Sequence, residues 1–316
     1  MKLFFLSLLS VLVVNTVTNP FLTAQPLKSG TNERSLLLQG MTRTFRAYLP
    51  KAVNISAESP VVLVLHGFGG NAKNALKQGK WEAKAEKEGF IVVGLDGTLD
   101  NLKLPYLSFA NPRSWAAGGG STKADERGVD DVAFAAAVID SLITWRCANP
   151  KRIYATGFSN GAGMTWRIGA VLSDRIAAIA PVANSLLVNV EKLSRPLPLL
   201  LIWGTADPVN PMAGGMVPRS GKQEYRPAAE SVWRSWATML GCTGEAQTLL
   251  SQNGVKTRAF KNCTGKAEAT FITIEGMGHT WAGGVEFLPE RIVGKTSNAL
   301  DATDTIWAFF SQYSLP

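Results

Sequence analysis

The chain has 316 residues and is 46% hydrophobic, which is enough to bury a sizeable core in one large α/β domain or two small ones. Its formal charge is +8, but the basic residues are scattered, which argues against a nucleic-acid partner and favours a solubility surface. Neither an H-E-x-x-H motif nor paired C-x-x-C motifs occur, so we expect no metal and no cofactor.

The first 24 residues have the pattern of a signal peptide. Lys2 precedes an apolar run from Leu3 to Val14, which is too short for a stable membrane anchor. Loss of this segment removes one lysine and leaves a charge of +7. We therefore expect a secreted or periplasmic protein with a single catalytic domain over residues 30–316, and the oligomeric state stays open.

Three cysteines in an exported chain predict one disulfide and one spare thiol. Cys242 and Cys263 are 21 positions apart in polar, turn-rich sequence, whereas Cys147 ends an apolar helical run. We expect a Cys242–Cys263 bridge and a buried, free Cys147. Asn54 and Asn262 lie in N-x-S/T sequons, and whether either is glycosylated stays open.

Apolar runs and helical spacing alternate along the chain. A hairpin is predicted over 35–49, then a strand over 61–66 that is apolar throughout, as in a parallel sheet covered on both faces. Further strands are predicted over 90–95, 153–158, 177–182, 197–203 and 271–274, and helices over 72–87, 130–145, 160–168, 228–240 and 299–310. This order predicts an α/β fold with a doubly wound, mostly parallel sheet.

Two further features of the sequence are given no catalytic role. Residues 98–128 contain prolines and three consecutive glycines, so they predict a long loop, which we expect to lie over the site. Asp130 and Asp131 are best explained as negative charge at the start of a helix rather than as catalytic acids.

The most informative stretch runs from Gly157 through Ser159 to Gly161, a G-x-S-x-G motif between a predicted strand and a predicted helix. This context is typical of a nucleophile elbow, in which the serine stands at the tip of a sharp turn. Ser159 is then the nucleophile. The N–H of Asn160, at the start of the helix, is oriented to donate to an oxyanion.

A serine nucleophile needs a base, and the chain has only two histidines. His66 ends a predicted strand and precedes glycines, so its side chain is assigned a structural role. His279 follows the last predicted strand, in a loop that can reach over the sheet, and we assign it as the general base. A surface histidine without function is the competing interpretation of His279.

The imidazole needs a carboxylate to orient it. Asp207 directly follows the apolar strand over 197–203 and therefore emerges at the carboxyl edge of the sheet. Asp96 also follows a strand but precedes the serine. The order Ser159, Asp207, His279 is that of α/β-hydrolases.

Four motifs together resemble a known family: His66 to Asn71, Gly157 to Gly161, Gly204 to Pro211 and Gly276 to Trp281. They look like those of secreted poly(3-hydroxybutyrate) depolymerase-type esterases, related to feruloyl and acetylxylan esterases of carbohydrate esterase family 1. The resemblance implies an α/β-hydrolase with the same triad, an oxyanion hole made by the amides of Phe68 and Asn160, and Trp281 in the substrate pocket. The chain departs from the family pattern at Ala282, where many relatives have proline.

The substrate is expected to be an ester of a short acyl chain or an aromatic acid, because Phe109, Trp115 and Trp281 are predicted near the mouth of the site. Trp115 has an equally weighted alternative, in which it anchors the long loop to the core. Candidate substrates are hydroxybutyrate oligomers and acyl or feruloyl esters of sugars. Little erosion of solid polymer is expected, since no surface-binding module is visible.

Three other functions stay open at this stage. The motifs are compatible with an acyltransferase on the same fold, with a serine peptidase of the same superfamily, and with a binding protein that has kept the scaffold. An acyltransferase would differ from a hydrolase only in passing the acyl group to an alcohol instead of to water. A binding protein is disfavoured because serine, acid and base are all retained.

Overall fold

The computed structural model of the protein describes residues 27–51, 59–219 and 222–316. Its strands are β1 (Gly30–Leu38), β2 (Met41–Leu49), β3 (Val61–Leu65), β4 (Ile91–Leu95), β5 (Thr98–Leu99), β6 (Arg113–Ser114), β7 (Ile153–Phe158), β8 (Ala178–Val182), β9 (Leu199–Gly204), β10 (Gly215–Arg219), β11 (Lys222–Arg226), β12 (Gln247–Gln252), β13 (Val255–Phe260) and β14 (Ala269–Ile274). Its helices are α1 (Ala72–Gln78), α2 (Trp81–Glu88), α3 (Lys123–Glu126), α4 (Asp131–Thr144), α5 (Asn160–Val171), α6 (Ala229–Met239), α7 (Glu290–Val293) and α8 (Ala302–Phe310).

The fold is built on a sheet of ten strands in the order β1-β2-β4-β3-β7-β8-β9-β14-β13-β12. The six strands from β4 to β14 run parallel, and antiparallel strands extend the sheet at both edges. This mostly parallel, doubly wound sheet confirms the predicted fold class. In such a sheet, ligands bind outside the carboxyl ends of the strands.

Helices cover both faces of the sheet. All five residues of β3 are buried, and successive side chains point to opposite faces: Leu63 belongs to the buried cluster that includes residues of α4, α5 and α6, whereas Val62 and Val64 belong to the one that includes residues of α1, α2 and α8. Tryptophans fill both layers, with Trp166 and Trp236 in contact on one face and Trp81 and Trp281 on the other. A strand buried on both faces explains the uninterrupted apolar run in the sequence.

The local turn and cap predictions agree with the structure. Gln39 and Gly40 both have positive φ and join β1 to β2, so the predicted hairpin is present, with longer strands than expected. Asp130 caps α4, because its side chain accepts a hydrogen bond from the Ala133 N–H at 2.9 Å. Asp131 is the first residue of α4 and thus lies in its first turn, as predicted; it is also buried and pairs with Arg43 at 2.6 Å.

Some elements were not predicted. The stretch over 98–128 contains β5, β6 and α3 rather than loop alone, and the hairpins β10–β11 and β12–β13 had no clear signal. Every residue of β12 is exposed at the sheet edge, so burial leaves no pattern in its sequence. The predicted signal peptide and Asn54 lie outside the described residues. Within the described ranges, no helix is long and apolar enough to cross a membrane.

The cysteines are arranged as expected. Cys242 and Cys263 form a disulfide that links the end of α6 to the segment after β13, and Cys147 is free and buried. Burial raises the pKa of the Cys147 thiol to about 11, so this thiol stays protonated and unreactive at neutral pH.

We expect the Cys242→Ser/Cys263→Ser double variant to lose about 3 kcal/mol of unfolding free energy, because the bridge restricts the unfolded chain. Denaturant unfolding of this variant and of the wild type measures the difference. Thiol titration is the control: native wild-type protein should show no reactive thiol, and denatured protein one, from Cys147. Equal stability of the two proteins would show that the bridge contributes nothing.

Candidate active site

Ser159 stands at a sharp turn between β7 and α5. Its φ of 55° and ψ of −121° lie in a region that residues other than glycine rarely adopt, so the turn is strained. A Cβ on Gly157 would lie 2.5 Å from the Gly161 oxygen, and a Cβ on Gly161 would collide with the carbonyl oxygens of β3. Glycine is therefore required on both sides of Ser159 by close backbone contact, as the motif predicted.

Two backbone N–H groups next to Ser159 have no acceptor among the described residues. The Asn160 N–H is in the first turn of α5, where no helical acceptor exists, and the Phe68 N–H lies in the loop after β3. The two segments are close together, since a Cβ built on Gly67 would be 3.4 Å from the Ser159 Cβ. These donors have the positions expected of an oxyanion hole.

His279 and Asp207 are in direct contact. The imidazole Nδ1 lies 2.7 Å from Asp207 Oδ2, and both side chains are buried. Asp207 Oδ1 accepts hydrogen bonds from the N–H groups of Val209 and Asn210 at 2.8 and 2.7 Å. With both carboxylate oxygens occupied, Asp207 holds Nδ1 as the protonated nitrogen and leaves Nε2 free to accept a proton.

The loops that carry these two residues are fastened to each other. The Ala206 N–H donates to the Met277 carbonyl at 3.0 Å, and the His279 N–H donates to the Val293 carbonyl at 2.5 Å. A Cβ on Gly204 would collide with the Met277 oxygen, and a Cβ on Gly278 with the Val293 oxygen. Gly204 thus permits the close approach of the Asp207 loop to the His279 loop, and Gly278 permits that of the His279 loop to the segment at Val293.

Ser159 and His279 line one cavity of about 380 Å³. No hydrogen bond joins the Ser159 hydroxyl to the imidazole in the described structure, and this contact is commonly loose until substrate binds. The Phe158 ring packs on the imidazole at 4.7 Å between centroids. The other lining residues are Gly67, Phe68, Ser121, Thr122, Asn160, Asn184, Val209, Asn210, Pro218, Arg226, Leu288, Ile292 and Val293.

Neither Trp115 nor Trp281 lines this cavity, which corrects the two predicted substrate contacts. Trp281 is only 3% exposed, its indole N–H donates to the Thr303 hydroxyl at 3.0 Å, and its ring packs behind Phe158. Trp115 is fully buried, in agreement with its alternative role as an anchor of the long loop. Phe109 is 86% exposed and also lies outside the cavity lining.

Trp115 connects the two segments that carry the unpaired N–H groups. Its indole N–H donates to the His66 carbonyl at 2.8 Å, just before the Phe68 loop. Its backbone N–H donates to Asn160 Oδ1 at 2.8 Å, and its carbonyl accepts from Asn160 Nδ2 at 3.3 Å. The loop after β3 and the start of α5 are therefore tied together through one tryptophan.

His66 is held as a neutral structural side chain, in line with its predicted role. The Gly97 N–H donates to Nε2 at 2.9 Å, and Nδ1 lies 2.7 Å from the Gly67 carbonyl, so Nδ1 carries the proton. Burial lowers the pKa of His66 to about 4. Asp96 is also structural, since its carboxylate accepts from the Ala72 N–H at 2.8 Å and the Thr44 hydroxyl at 2.6 Å.

Sequence analysis did not identify Asn184 as a residue of the site. It is buried, lines the cavity, and its side-chain Nδ2 donates to the Ser159 carbonyl at 2.9 Å. Asn184 follows β8 at the carboxyl edge of the sheet, so the same criterion that identified Asp207, a polar residue directly after a buried strand, could also have identified Asn184.

No cluster of three or more His, Cys, Asp or Glu residues placed to hold a metal occurs in the part of the chain that is described.

Comparison with known proteins assigns the family. Residues 52–220 match the phospholipase/carboxylesterase family, a range that includes Ser159 and Asp207, and the chain belongs to that family. It is a carboxylic ester hydrolase of the α/β-hydrolase fold.

Similar proteins carry esterase names. A putative esterase, NocK, from Nocardia uniformis subsp. tsuyamanensis is 29% identical over 87% of this chain and 81% of its own length. Feruloyl esterase B from Piromyces equi is 32% identical over 82% of this chain, which spans only 43% of that protein. Among solved structures, the acetyl xylan esterase from Aspergillus awamori superposes with a TM-score of 0.55 at 15% identity, covering 80% of this chain and 94% of that one, and indicates the shared fold.

The low pKa of His66 predicts acid sensitivity. Between pH 6.5 and about 4 the unfolded state binds a proton at His66 and the native state does not, so stability falls as pH falls through this window. The expected loss is on the order of 1 kcal/mol per pH unit. Denaturant unfolding at several pH values measures it.

His66→Gln is the matched control, because its side chain does not titrate. It should be less stable than wild type at pH 7, yet the difference should narrow as pH falls below 6.5. Parallel pH profiles for the two proteins would contradict a neutral, buried His66.

Proposed function

We propose that the protein hydrolyses carboxylic esters through an acyl-enzyme on Ser159, with His279 as general base and Asp207 as the carboxylate that orients it. The observation that carries the proposal is the 2.7 Å contact between His279 Nδ1 and Asp207 Oδ2, in a cavity shared with a serine at a strained turn. A serine hydroxyl becomes a nucleophile at neutral pH only beside such a base.

The reaction follows from these positions. His279 Nε2 accepts the hydroxyl proton while Ser159 Oγ bonds to the ester carbon, and Asp207 stabilises the imidazolium. The tetrahedral intermediate then breaks its bond to the alcohol oxygen, which takes the proton from His279 and leaves. Water, deprotonated by the same imidazole, attacks the acyl-enzyme and releases the acid and free Ser159.

The N–H groups of Phe68 and Asn160 stabilise the oxyanion of each tetrahedral intermediate. Their lack of an acceptor within the described residues supports this role, because a free donor needs no rearrangement during the reaction. Each such donor typically contributes about 3 kcal/mol to lowering the barrier.

The substrate is an ester with a short acyl chain or an aromatic acid. Phe68, Phe158, Val209, Leu288, Ile292 and Val293 supply apolar surface in the cavity, and a volume of about 380 Å³ suits a small organic group. The feruloyl and acetylxylan esterases among the relatives favour acyl esters of sugars, and the resemblance to depolymerases adds soluble hydroxybutyrate oligomers. The leader-like N-terminal sequence supports action outside the cytoplasm.

Replacement of Ser159 tests the nucleophile. Ser159→Ala should fold normally and lower the turnover of p-nitrophenyl acetate on the order of 10⁴-fold or more, because no other hydroxyl is activated in its place. His279→Ala should be nearly as damaging, since the two residues act as a unit. Initial rates of purified variants measure the effect.

Ser251→Ala is the control, because Ser251 is exposed on β12 at the sheet edge. It should retain wild-type activity. Retention of a tenth of wild-type activity by Ser159→Ala would exclude Ser159 as the nucleophile.

Replacement of Trp115 tests whether this residue positions the two N–H donors of the proposed oxyanion hole. Trp115→Phe keeps the backbone contacts to Asn160 but removes the indole donor to the His66 carbonyl, so the Phe68 loop loses one of its ties to α5. We expect kcat to fall roughly 10- to 100-fold with little change in KM, because a small displacement of an oxyanion donor acts in the transition state.

Trp236→Phe is the matched control. Its buried indole N–H likewise donates to a backbone carbonyl, that of Leu197, at 3.0 Å, but the residue lies outside the cavity lining. It should lose stability without a comparable loss of kcat. Equal kcat values for the two variants would contradict the positioning role of Trp115.

A further inference from the structure

A second cavity, of about 340 Å³, adjoins the catalytic cavity. The two share Phe68, Ser121 and Thr122 in their walls, so they lie side by side at these residues. We call the second cavity the polar annex. Its remaining lining residues are Asp100, Gly119, Gly120, Lys123, Glu126, Gln223 and Glu224.

The annex differs chemically from the wall of the catalytic cavity next to His279. Next to His279 that wall is apolar, formed by Leu288, Ile292 and Val293. The annex instead presents carboxylates, an ammonium group and the exposed amide of Gln223. A ligand that fills both cavities is therefore apolar at one end and rich in hydrogen-bonding groups at the other.

The charges of the annex largely cancel. Lys123 pairs with Glu126 at 2.7 Å, and Glu224 Oε2 pairs with Arg226 at 3.0 Å. Asp100 is the remaining carboxylate, and burial raises its pKa. A nearly balanced site of this kind favours a neutral ligand over an ion.

Two carboxylate oxygens of the annex need hydrogen-bond donors. Asp100 Oδ1 and Glu224 Oε1 are buried and accept no hydrogen bond from any described residue. A buried acceptor without a partner is destabilising, and a ligand hydroxyl that donates to it would remove that cost. Gly119 lies close to this carboxylate, since a Cβ built on Gly119 would be 2.4 Å from Glu224 Oε1.

We propose that the polar annex binds a neutral, hydroxylated ring of the substrate while the ester lies at Ser159. The proposal rests on the proposed function. The hydroxyls of the ring donate to Asp100 and Glu224, Gln223 contacts its remaining polar groups, and its apolar face packs on the Phe68 ring, which is 55% exposed where the cavities meet. Such a ring belongs either to a sugar alcohol component or to a phenolic acyl component.

The test compares three substrates on the full-length protein. Acetylated xylobiose carries the hydroxylated ring in the alcohol, methyl ferulate carries it in the acid, and p-nitrophenyl acetate carries it in neither. Asp100→Ala and Gln223→Ala remove annex groups, and neither residue lines the catalytic cavity. We expect each variant to lose about 10-fold in kcat/KM on one of the two hydroxylated substrates, as for the loss of a hydrogen bond to a charged or polar group.

Hydrolysis of p-nitrophenyl acetate should stay at the wild-type rate in both variants, which also shows that they fold. Which hydroxylated substrate is affected identifies the component that enters the annex. Asp174→Ala and Gln252→Ala, at exposed sites outside both cavities, are the matched controls and should leave all three rates unchanged.

Two outcomes overturn the proposal, and they differ from failure of the proposed function. If both annex variants hydrolyse all three esters like wild type, or lose equally on all three, the annex does not bind the substrate ring. If the wild-type protein hydrolyses none of the three, the proposed ester hydrolase function itself is wrong.

Discussion

Three pieces of backbone meet without intervening side chains at the Ser159 turn: the end of β7, the start of α5 and the carboxyl end of β3. A side chain at Gly161 would collide with the carbonyl oxygens of Leu65, the last residue of β3, and of His66, which follows it; β3 is the strand beside β7. The same contact that forces the strained turn also brings the loop after β3 against the serine. The proposed nucleophile, the proposed oxyanion donors and the sheet edge therefore depend on one close approach.

The contact between Asp207 and His279, the proposed acid and base, depends on the pairing of β9 with β14 in the sheet. β9 and β14 are parallel, with Gly204 opposite Ile274, so Asp207 and His279 leave the sheet from the same edge. Backbone hydrogen bonds between the two loops and glycines at the contact bring the carboxylate to the imidazole. The fold thus orients both side chains before any ester binds, which lowers the reorganisation that the reaction requires.

The sequence was sufficient to predict the three proposed catalytic residues. Asp207 and His279 each follow an apolar strand, and Ser159 stands in a G-x-S-x-G motif whose glycines indicate a sharp turn. The pairing of Arg43 with Asp131 was not predictable, since 88 positions separate the two and each has an ordinary local context. Trp281 was wrongly predicted as a pocket wall, whereas for Trp115 the sequence left pocket wall and loop anchor equally open, and the structure agrees with the anchor. A tryptophan in a loop can face either solvent or core, and its partner, a backbone carbonyl or the hydroxyl of Thr303, leaves no pattern in the sequence.

The hairpin β10–β11 shows the same limit. It contributes Pro218 and Arg226 to the catalytic cavity and Gln223 and Glu224 to the annex, but it is too short and too polar for periodicity to reveal. The proposed specificity therefore depends largely on connecting segments, whereas the proposed chemistry depends on strand ends. This division explains why a sequence can predict the reaction better than the substrate.

The most direct test of the central claim is covalent labelling with a fluorophosphonate, which reacts only with an activated serine. Our account predicts one phosphonyl group per wild-type molecule, located by peptide mass spectrometry on Ser159, and strongly slowed labelling in the His279→Ala variant. Labelling at another residue, no labelling of folded protein, or equal labelling rates in the His279→Ala variant would contradict it.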